Sequence, residues 1–404
     1  MNINQQVTYL MRGVEYGDPA MYEAMKKELR ERLIEADRTG KPLRVYCGYD
    51  PRTSDLHIGH TVTMRKLRQV QELGHHVIFV IGTYTALIGD PSDKDKLRPV
   101  LSPEEAKQNA ETYAEQAFRI LDREKTEIRF NAEWLSGLTF KDLIHLASNF
   151  TLQQFLTREN FRKRWETEEA IYFHELFYAI MQGYDAYALE ADVQVGGSDQ
   201  MFNIMTASRK IMTYFHKKPN IGIILPILPG TDGELKMSKS LGNHIPLNTT
   251  PEDMFGKVMS VPDSAMSIYA RLVTRWTVDK INTFESAIEA GEIHPRDAKM
   301  ELAEEITAAF FDEVKAEHAR NHFINLFQKG DTPEDIPDFR MSGEPVLIEV
   351  LVESGLVNSK SQARRLIDQN GIKVNGEPAS DPYAVLAPQS VVQVGKRHFI
   401  RLVD

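Results

Sequence analysis

Two short stretches carry side chains suited to phosphate chemistry. In LHIGH (56–60) the imidazoles of His57 and His60 lie three residues apart, with Gly59 between them. In KMSKS (236–240) Lys236 and Lys239 have the same spacing, among serines and close to glycines. If the first stretch opens a helix, both rings share one side of its first turn, where unpaired N–H groups and the helix dipole favour an anion. Imidazoles there can donate hydrogen bonds to phosphate oxygens as charge builds in a transition state, and Gly59 would let a ligand approach the backbone. Two lysines on a flexible loop can fold over a polyphosphate as movable cations. Each motif alone has a blander reading. His-x-x-His can ligate a metal or merely satisfy a helix start, and Lys236 and Lys239 can simply solvate a loop.

Both motifs need elements that hold them. Residues 21–36 have the pattern of an amphipathic helix. LRVYCGY (43–49) reads as a buried strand entering the turn that bears LHIGH, and residues 59–73 place apolar side chains at helical spacing. HVIFVIG (76–82) suits a parallel strand. GDPSD (89–93) is a turn, and residues 102–121 a helix with Ser102 as N-cap and Pro103 at its first position. VQVGGSDQ (193–200) ends a further strand at a glycine pair, and IGIILPIL (221–228) is one more. This alternation predicts an α/β fold, a Rossmann-like doubly wound parallel sheet whose ligands lie beyond the carboxyl ends of the strands. The expected division is a catalytic domain over 1–248 with a helical insertion and the KMSKS loop, an all-helical domain over 249–330, a Pro-, Asp- and Gly-rich linker over 331–343, and a small α+β unit over 344–404.

Composition narrows the field. The chain has 404 residues, 42% of them hydrophobic and 26% charged, which suits a globular protein of two or three domains. No run of about 20 apolar residues is present, so no helical membrane span is expected. The N-terminus lacks a basic start followed by an apolar run, so a secretory signal is not expected either. Cys47 is the single cysteine, which rules out an internal disulfide and a cysteine-built zinc site, and suggests a reducing cytoplasm. The net charge is −10, and residues 341–404 are balanced at seven positive and seven negative side chains. RNA would therefore have to bind at local basic clusters rather than over the whole surface.

In this order and separation, LHIGH and KMSKS resemble the two signatures of the class I aminoacyl-tRNA synthetases. VYCGYD (45–50), YAIMQGYD (178–185) and VGGSDQ (195–200) resemble the tyrosine pocket of bacterial tyrosyl-tRNA synthetases, in the subgroup that keeps KMSKS, and the similarity runs through nearly the whole chain. The resemblance implies that Tyr46 and Asp185 meet a phenolic hydroxyl, that Tyr178, Gln182 and Asp90 hold an α-ammonium, and that Gln200 lies nearby. It implies that Cys47, Gly48, Gly197 and Asp199 line the ATP ribose side, that Asp50 approaches the adenylate, and that His57, Gly59 and His60 serve the α-phosphate. Lys236, Ser238 and Lys239 would face the departing pyrophosphate. Tyr178, Gln182 and Asp185 fall at i, i+4 and i+7, one stripe of a helix. Blander readings stand beside these: a solvated stripe, Cys47 as core filler, Tyr46 as core packing, and Asp90 as the start of a turn.

The tail offers Lys360, Arg364 and Arg365 on one side of a helix, available to RNA phosphates. Its pattern resembles the small RNA-binding fold that closes many bacterial tyrosyl enzymes. The resemblance further implies tRNA(Tyr), L-tyrosine and ATP with Mg²⁺ as partners, and a homodimer. Asp93 stands where relatives commonly have glycine, which bears on the shape of that loop. Rival readings are the tryptophanyl sister family, a nucleotidyltransferase of the pantothenate synthetase kind, and a catalytically silent RNA-binding scaffold.

Overall fold

The computed structural model describes residues 1–51, 56–91, 109, 112–326, 336–341, 343, 345–395 and 398–403. Asp93, the expected helix start at Ser102 and Pro103, and part of the expected linker lie outside the described residues. The chain divides into two compact units, Met1–Glu313 and Val314–Asp404.

The first unit is built on five parallel strands, β1 (Arg44–Tyr49), β2 (His76–Ile81), β3 (Thr126–Phe130), β4 (Val193–Gly197) and β5 (Ile221–Leu225), in the spatial order β3-β2-β1-β4-β5. The order reverses between β1 and β4, so loops leaving these two strands diverge and open a crevice at their carboxyl ends. The central strands are apolar on both faces, and Val77 through Ile81 are all buried. Strand β3, TEIRF, has no apolar run and the sequence pattern did not single it out. It is an edge strand, and all five of its residues are partly exposed.

Helices α1 (Ile3–Met11), α2 (Pro19–Thr39) and α3 (Ile58–Glu72) precede or follow the first strands. Helix α2 outruns its amphipathic stretch at both ends because its caps lie there. Asp18 accepts a hydrogen bond from the Ala20 N–H, Pro19 opens the helix, and Gly40 closes it at φ +67°. Helix α4 (Glu175–Ala188) runs against a π-helical turn at residues 202–208. Gly183 permits this close approach, since a Cβ there would lie 2.8 Å from Ile211 Cδ1 and 3.1 Å from the Ala207 backbone. The helical reading of the next segment holds: α5 (Pro251–Met259), α6 (Met266–Val273), α7 (Val278–Glu289) and α8 (Pro295–Phe310) follow in turn, within the same unit.

Helix α3 is pinned from behind by cations. Lys66 is buried, and its Nζ donates to the carbonyls of Leu10 and Arg12 at 2.8 and 2.9 Å. Arg12 in turn donates to the carbonyls of Thr274 and Trp276, and Arg65 to that of Ala309. Each cation meets the carboxyl end of a helix, where carbonyls lack intrahelical partners and the dipole is negative. The amino end of α3 is thereby presented to the carboxyl edge of the sheet.

The second unit is a mixed sheet with helices α9 (Leu347–Glu353) and α10 (Lys360–Asp368). Its strands are β6 (Asp338–Arg340), β7 (Ile372–Val374), β8 (Glu377–Pro378), β9 (Val391–Val394) and β10 (His398–Val403), ordered β6-β10-β9-β7-β8. Leu347, Leu351, Ala363, Ile372, Val392 and Leu402 are among the residues of its core. Strand β6 falls inside the stretch expected to be linker. Its three residues pair in parallel with Arg401–Val403 at the sheet edge, a tertiary contact that a Pro- and Asp-rich segment does not advertise.

Candidate active site

His57 is the N-cap of α3, with β-region backbone angles, and α3 starts one residue later. The His60 Nδ1 accepts the His57 main-chain N–H at 3.2 Å, which places the His60 ring proton on Nε2. The two rings lie 3.9 Å apart, centroid to centroid, and His244 stands edge-on at 6.2 Å from His57. Burial, followed by the neighbouring His60, His244 and Lys236, pulls the pKa of His57 down to about 2. The ring is therefore neutral near pH 7 and acts as a hydrogen-bond donor rather than a cation. Its Nδ1 is buried and has no hydrogen-bond partner among the described residues. Gly59 makes room for that ring: a Cβ would lie 2.9 Å from His57 Nδ1. The space expected to admit a ligand to the Gly59 backbone is thus partly filled by the protein's own imidazole.

The two motifs meet through the main chain. Ile58 N–H donates to the Ile245 carbonyl and Leu247 N–H to the Leu56 carbonyl, both at 2.9 Å, which bridges the histidine turn to the strand-like segment leaving KMSKS. Met237 is buried, with its Cβ 3.5 Å from where a Gly59 Cβ would stand. Lys236 and Lys239 are exposed, and Lys236 Nζ pairs with Asp199 Oδ2 at 3.2 Å. Ser238 Oγ lies 2.9 Å from Ser240 Oγ. The loop thus connects, through Asp199, to the carboxyl end of β4.

Between β1 and β4 lies the polar pocket. Asp50, just past β1, accepts hydrogen bonds from Thr85 Oγ1 at 2.7 Å and Tyr178 OH at 3.0 Å. Gly82 leaves space for this carboxylate, since a Cβ there would be 2.1 Å from Asp50 Oδ1. Asn131 Nδ2 donates to Thr85 Oγ1 at 3.0 Å and approaches Asp185 Oδ2 at 3.4 Å, while Trp134 Nε1 donates to Asp185 Oδ1 at 2.7 Å. A second chain runs from Asp90 to Gln200 and on to Asn203, whose Nδ2 donates to both Gln200 and Gln182 at 2.9 Å. Helix α4 therefore places Tyr178, Gln182 and Asp185 along the pocket wall as one stripe. Burial pushes the Asp185 carboxyl up to about 8, against the two donated hydrogen bonds, with Asp50 adding to the rise. Tyr46 is fully buried among Ile78, Val80 and Ala186, and its hydroxyl reaches the Gln182 carbonyl at 3.4 Å.

The remaining expected residues divide. Gly48 is exposed, and nothing lies within 4 Å of where a Cβ would stand, so the β1 backbone is open there. Gly197 accommodates the Asp199 carboxylate, 2.7 Å from the place of a Cβ. Cys47 is buried, with its thiol pushed up to about 11 by burial. In the second unit Lys360, Arg364 and Arg365 are exposed on α10. Lys360 pairs with Glu349 at 2.5 Å and Arg364 donates to Tyr383 OH at 2.8 Å. Sequence reading missed Gly82, Thr85, Asn131, Trp134, Asn203 and His244. Asn131 and Trp134 follow β3, the strand whose pattern was silent. Their only signal is a polar residue just past a strand end.

Residues 38–328 match the family model described as tRNA synthetases class I (W and Y), and residues 328–400 that of a tyrosine–tRNA ligase SYY-like C-terminal domain. The tyrosine–tRNA ligase of Carboxydothermus hydrogenoformans is 44% identical over 99% of this chain and 98% of its own length. That of Haemophilus influenzae is 48% identical over 92% of each. Among solved structures, the fold is similar to a tyrosyl-tRNA synthetase from Archaeoglobus fulgidus complexed with L-tyrosine. Its TM-score is 0.60, with 23% identity and coverage of 79% of this chain and 100% of that one. A truncated mitochondrial tyrosyl-tRNA synthetase from Aspergillus nidulans gives a TM-score of 0.63 at 22% identity, over 80% of this chain and 94% of that one.

The raised Asp185 carboxyl sets a pH dependence. An unfolded aspartate titrates near 4, so between that value and about 8 the folded chain holds the extra proton. By linkage, Asp185 makes the fold less stable as pH rises through this window. Asp185→Asn removes the titration, so its melting temperature relative to the parent should climb from pH 5 to pH 8, by at least about 2 °C. Parallel melting curves across that range contradict the neutral buried carboxyl.

Proposed function

Because the chain belongs to the tyrosine–tRNA ligases of the class I tRNA synthetases, we propose that the crevice between β1 and β4 activates L-tyrosine with ATP, and that the tyrosyl group then passes to the 3′ end of tRNA(Tyr). The observation that carries this reading is the bridge between residues 56–58 and 245–247. It sets the neutral His57 imidazole and the His60 ring beside a lysine-bearing loop, at the edge of a polar pocket that ends in a buried carboxyl.

In this reading the phenolic hydroxyl of tyrosine meets Asp185, with Tyr46 close by. A protonated carboxyl can both donate to and accept from a phenol, and a ligand lacking the hydroxyl would leave it unpaired. Tyr178, Gln182 and Asp90, steadied by Gln200, take the α-ammonium. Gly48, Gly197, Asp199 and Cys47 form the ribose side, and Asp50 faces the adenylate. The tyrosine carboxylate attacks the α-phosphorus of ATP, the bond to the bridging oxygen breaks, and pyrophosphate leaves. His57 and His60, with Gly59 between them, donate to the α-phosphate oxygens as charge develops, and Lys236, Ser238 and Lys239 take the pyrophosphate. No protein nucleophile is required, so the rate rests on positioning and electrostatics. Mg²⁺ is read as arriving on the ATP phosphates, as part of the substrate.

The test is amino-acid-dependent ATP–pyrophosphate exchange across all twenty amino acids. Exchange with tyrosine alone supports the reading, and exchange with tryptophan overturns Tyr46 and Asp185 as hydroxyl readers. In the same assay His60→Ala should lower kcat about 100-fold while the KM for tyrosine changes less than about threefold, since its contact is made in the transition state. Equal losses in both would defeat that role.

The small C-terminal unit, with Lys360, Arg364 and Arg365, is read as the RNA module. Removing residues after 345 should spare exchange but reduce tRNA charging at least about 10-fold, the cost of roughly one lost charge-assisted contact. A parallel fall in both activities, with the first unit still folded, rules out an RNA role.

The reading includes a homodimer and a cytoplasmic location. No helix among the described residues is long and apolar enough to cross a membrane. Phe140, Ile144, Leu152, Trp165 and Phe173 are large apolar side chains exposed within one insertion of the first unit, a pattern suited to a symmetric interface. Phe173→Asp should convert the protein to a monomer in sedimentation equilibrium. A dimer that survives this change places the interface elsewhere.

A further inference from the structure

The loop that carries the two lysines is organised around one buried amide. Asn243 is 6% exposed, and its side-chain amide and main-chain carbonyl are all engaged. Its Nδ2 donates to Asp232 Oδ2 at 2.6 Å and to the Lys236 carbonyl at 3.3 Å, and its Oδ1 accepts the Ser238 N–H at 2.8 Å. Its own carbonyl accepts the Thr231 N–H at 2.8 Å. The other oxygen of Asp232 accepts the N–H groups of Glu234 and Leu235, each at 2.9 Å. Asp232 is held below the usual carboxyl range, first by the Asn243 amide and then by those N–H groups, so it stays an acceptor.

The backbone is shaped to admit this amide. A Cβ at Gly230 would fall 2.3 Å from both Asn243 Cγ and Nδ2, so any larger residue there collides with it. Just past His244, Ile245 and Leu247 make the two main-chain bonds to the histidine turn. Asn243 therefore stands where the fixed part of the chain becomes the loop, and it grips the backbone on both sides of Met237.

We propose that Asn243 is a positioning residue for adenylate formation, which fixes the main chain at Lys236 and Ser238 and so aims both lysines before ATP arrives. This rests on the assignment of Lys236 and Lys239 to the departing pyrophosphate. Asn243 touches no substrate and acts through the loop. Its loss should appear in kcat rather than in tyrosine binding, because the lysine contacts strengthen as charge develops on the leaving group.

The test exchanges the two partners. Asn243→Asp sets a second carboxylate against Asp232, and the kcat of pyrophosphate exchange should fall about 30- to 100-fold, the scale of a misplacement of roughly 1 Å. The KM for tyrosine should stay within about twofold, as for a group not involved in ground-state binding. In the double variant, Asp232→Asn with Asn243→Asp, the amide and carboxylate change places, which restores the bond between them and the acceptor for the Ser238 N–H but not the Asn243 donor to the Lys236 carbonyl. The kcat should recover to within about tenfold of the parent, as expected when two groups act through one shared bond. Gly230→Ala, which displaces the amide without altering it, should reproduce the kcat loss. A double variant no faster than Asn243→Asp, or an Asn243→Asp enzyme with parental kcat, overturns the proposal. Lys239→Ala separates this from the underlying reading. If that variant keeps its kcat, the lysine assignment fails. If it is slow while Asn243→Asp is not, only the role of Asn243 fails.

Discussion

The structure of the site depends on a two-bond bridge. Leu56 and Ile58 on one side and Ile245 and Leu247 on the other are almost completely buried. Each main-chain hydrogen bond contributes roughly 1 kcal/mol net, whereas burying each aliphatic side chain contributes about 1.5–3 kcal/mol. Packing therefore holds the bridge and the hydrogen bonds set its register. Without this contact, the histidine turn and the lysine loop would be separate surface features. Lys66, Arg12 and Arg65 fix the rear of α3, so that its amino end faces the carboxyl edge of the sheet.

The second constraint is the polar wall inside an apolar frame. From Tyr178 through Asp50, Thr85 and Asn131 to Asp185 and Trp134, each side chain is held by the next. Buried networks of this kind are rigid when complete and costly when broken. Asp185 is the extreme case, a carboxyl that two donors cannot keep ionised against burial. Such a group rewards a hydroxyl partner strongly, because an apolar ligand of similar shape would leave it unpaired. In the proposed function, the choice of tyrosine over an amino acid lacking the hydroxyl would follow from that arrangement.

The sequence by itself determined the alternation of strands and helices, the positions of the central strands and the stripe of Tyr178, Gln182 and Asp185. These are local or periodic signals: β-branched runs for strands buried on both faces, and a 3.6-residue spacing for α4. It also marked LHIGH and KMSKS, whose residue types are unusual enough to be noticed. Tertiary structure decided the rest. That Gly82 makes room for Asp50, and that Gly230 admits the Asn243 amide, are facts about neighbours distant in the chain. Asn131 and Trp134 reached Asp185 from an edge strand with no hydrophobic signature. Strand β6 emerged from a segment that looks like linker because its pairing partner lies some sixty residues away. A sequence records what each residue prefers, but a hydrogen bond or a shielded charge exists only once folding has supplied its partner.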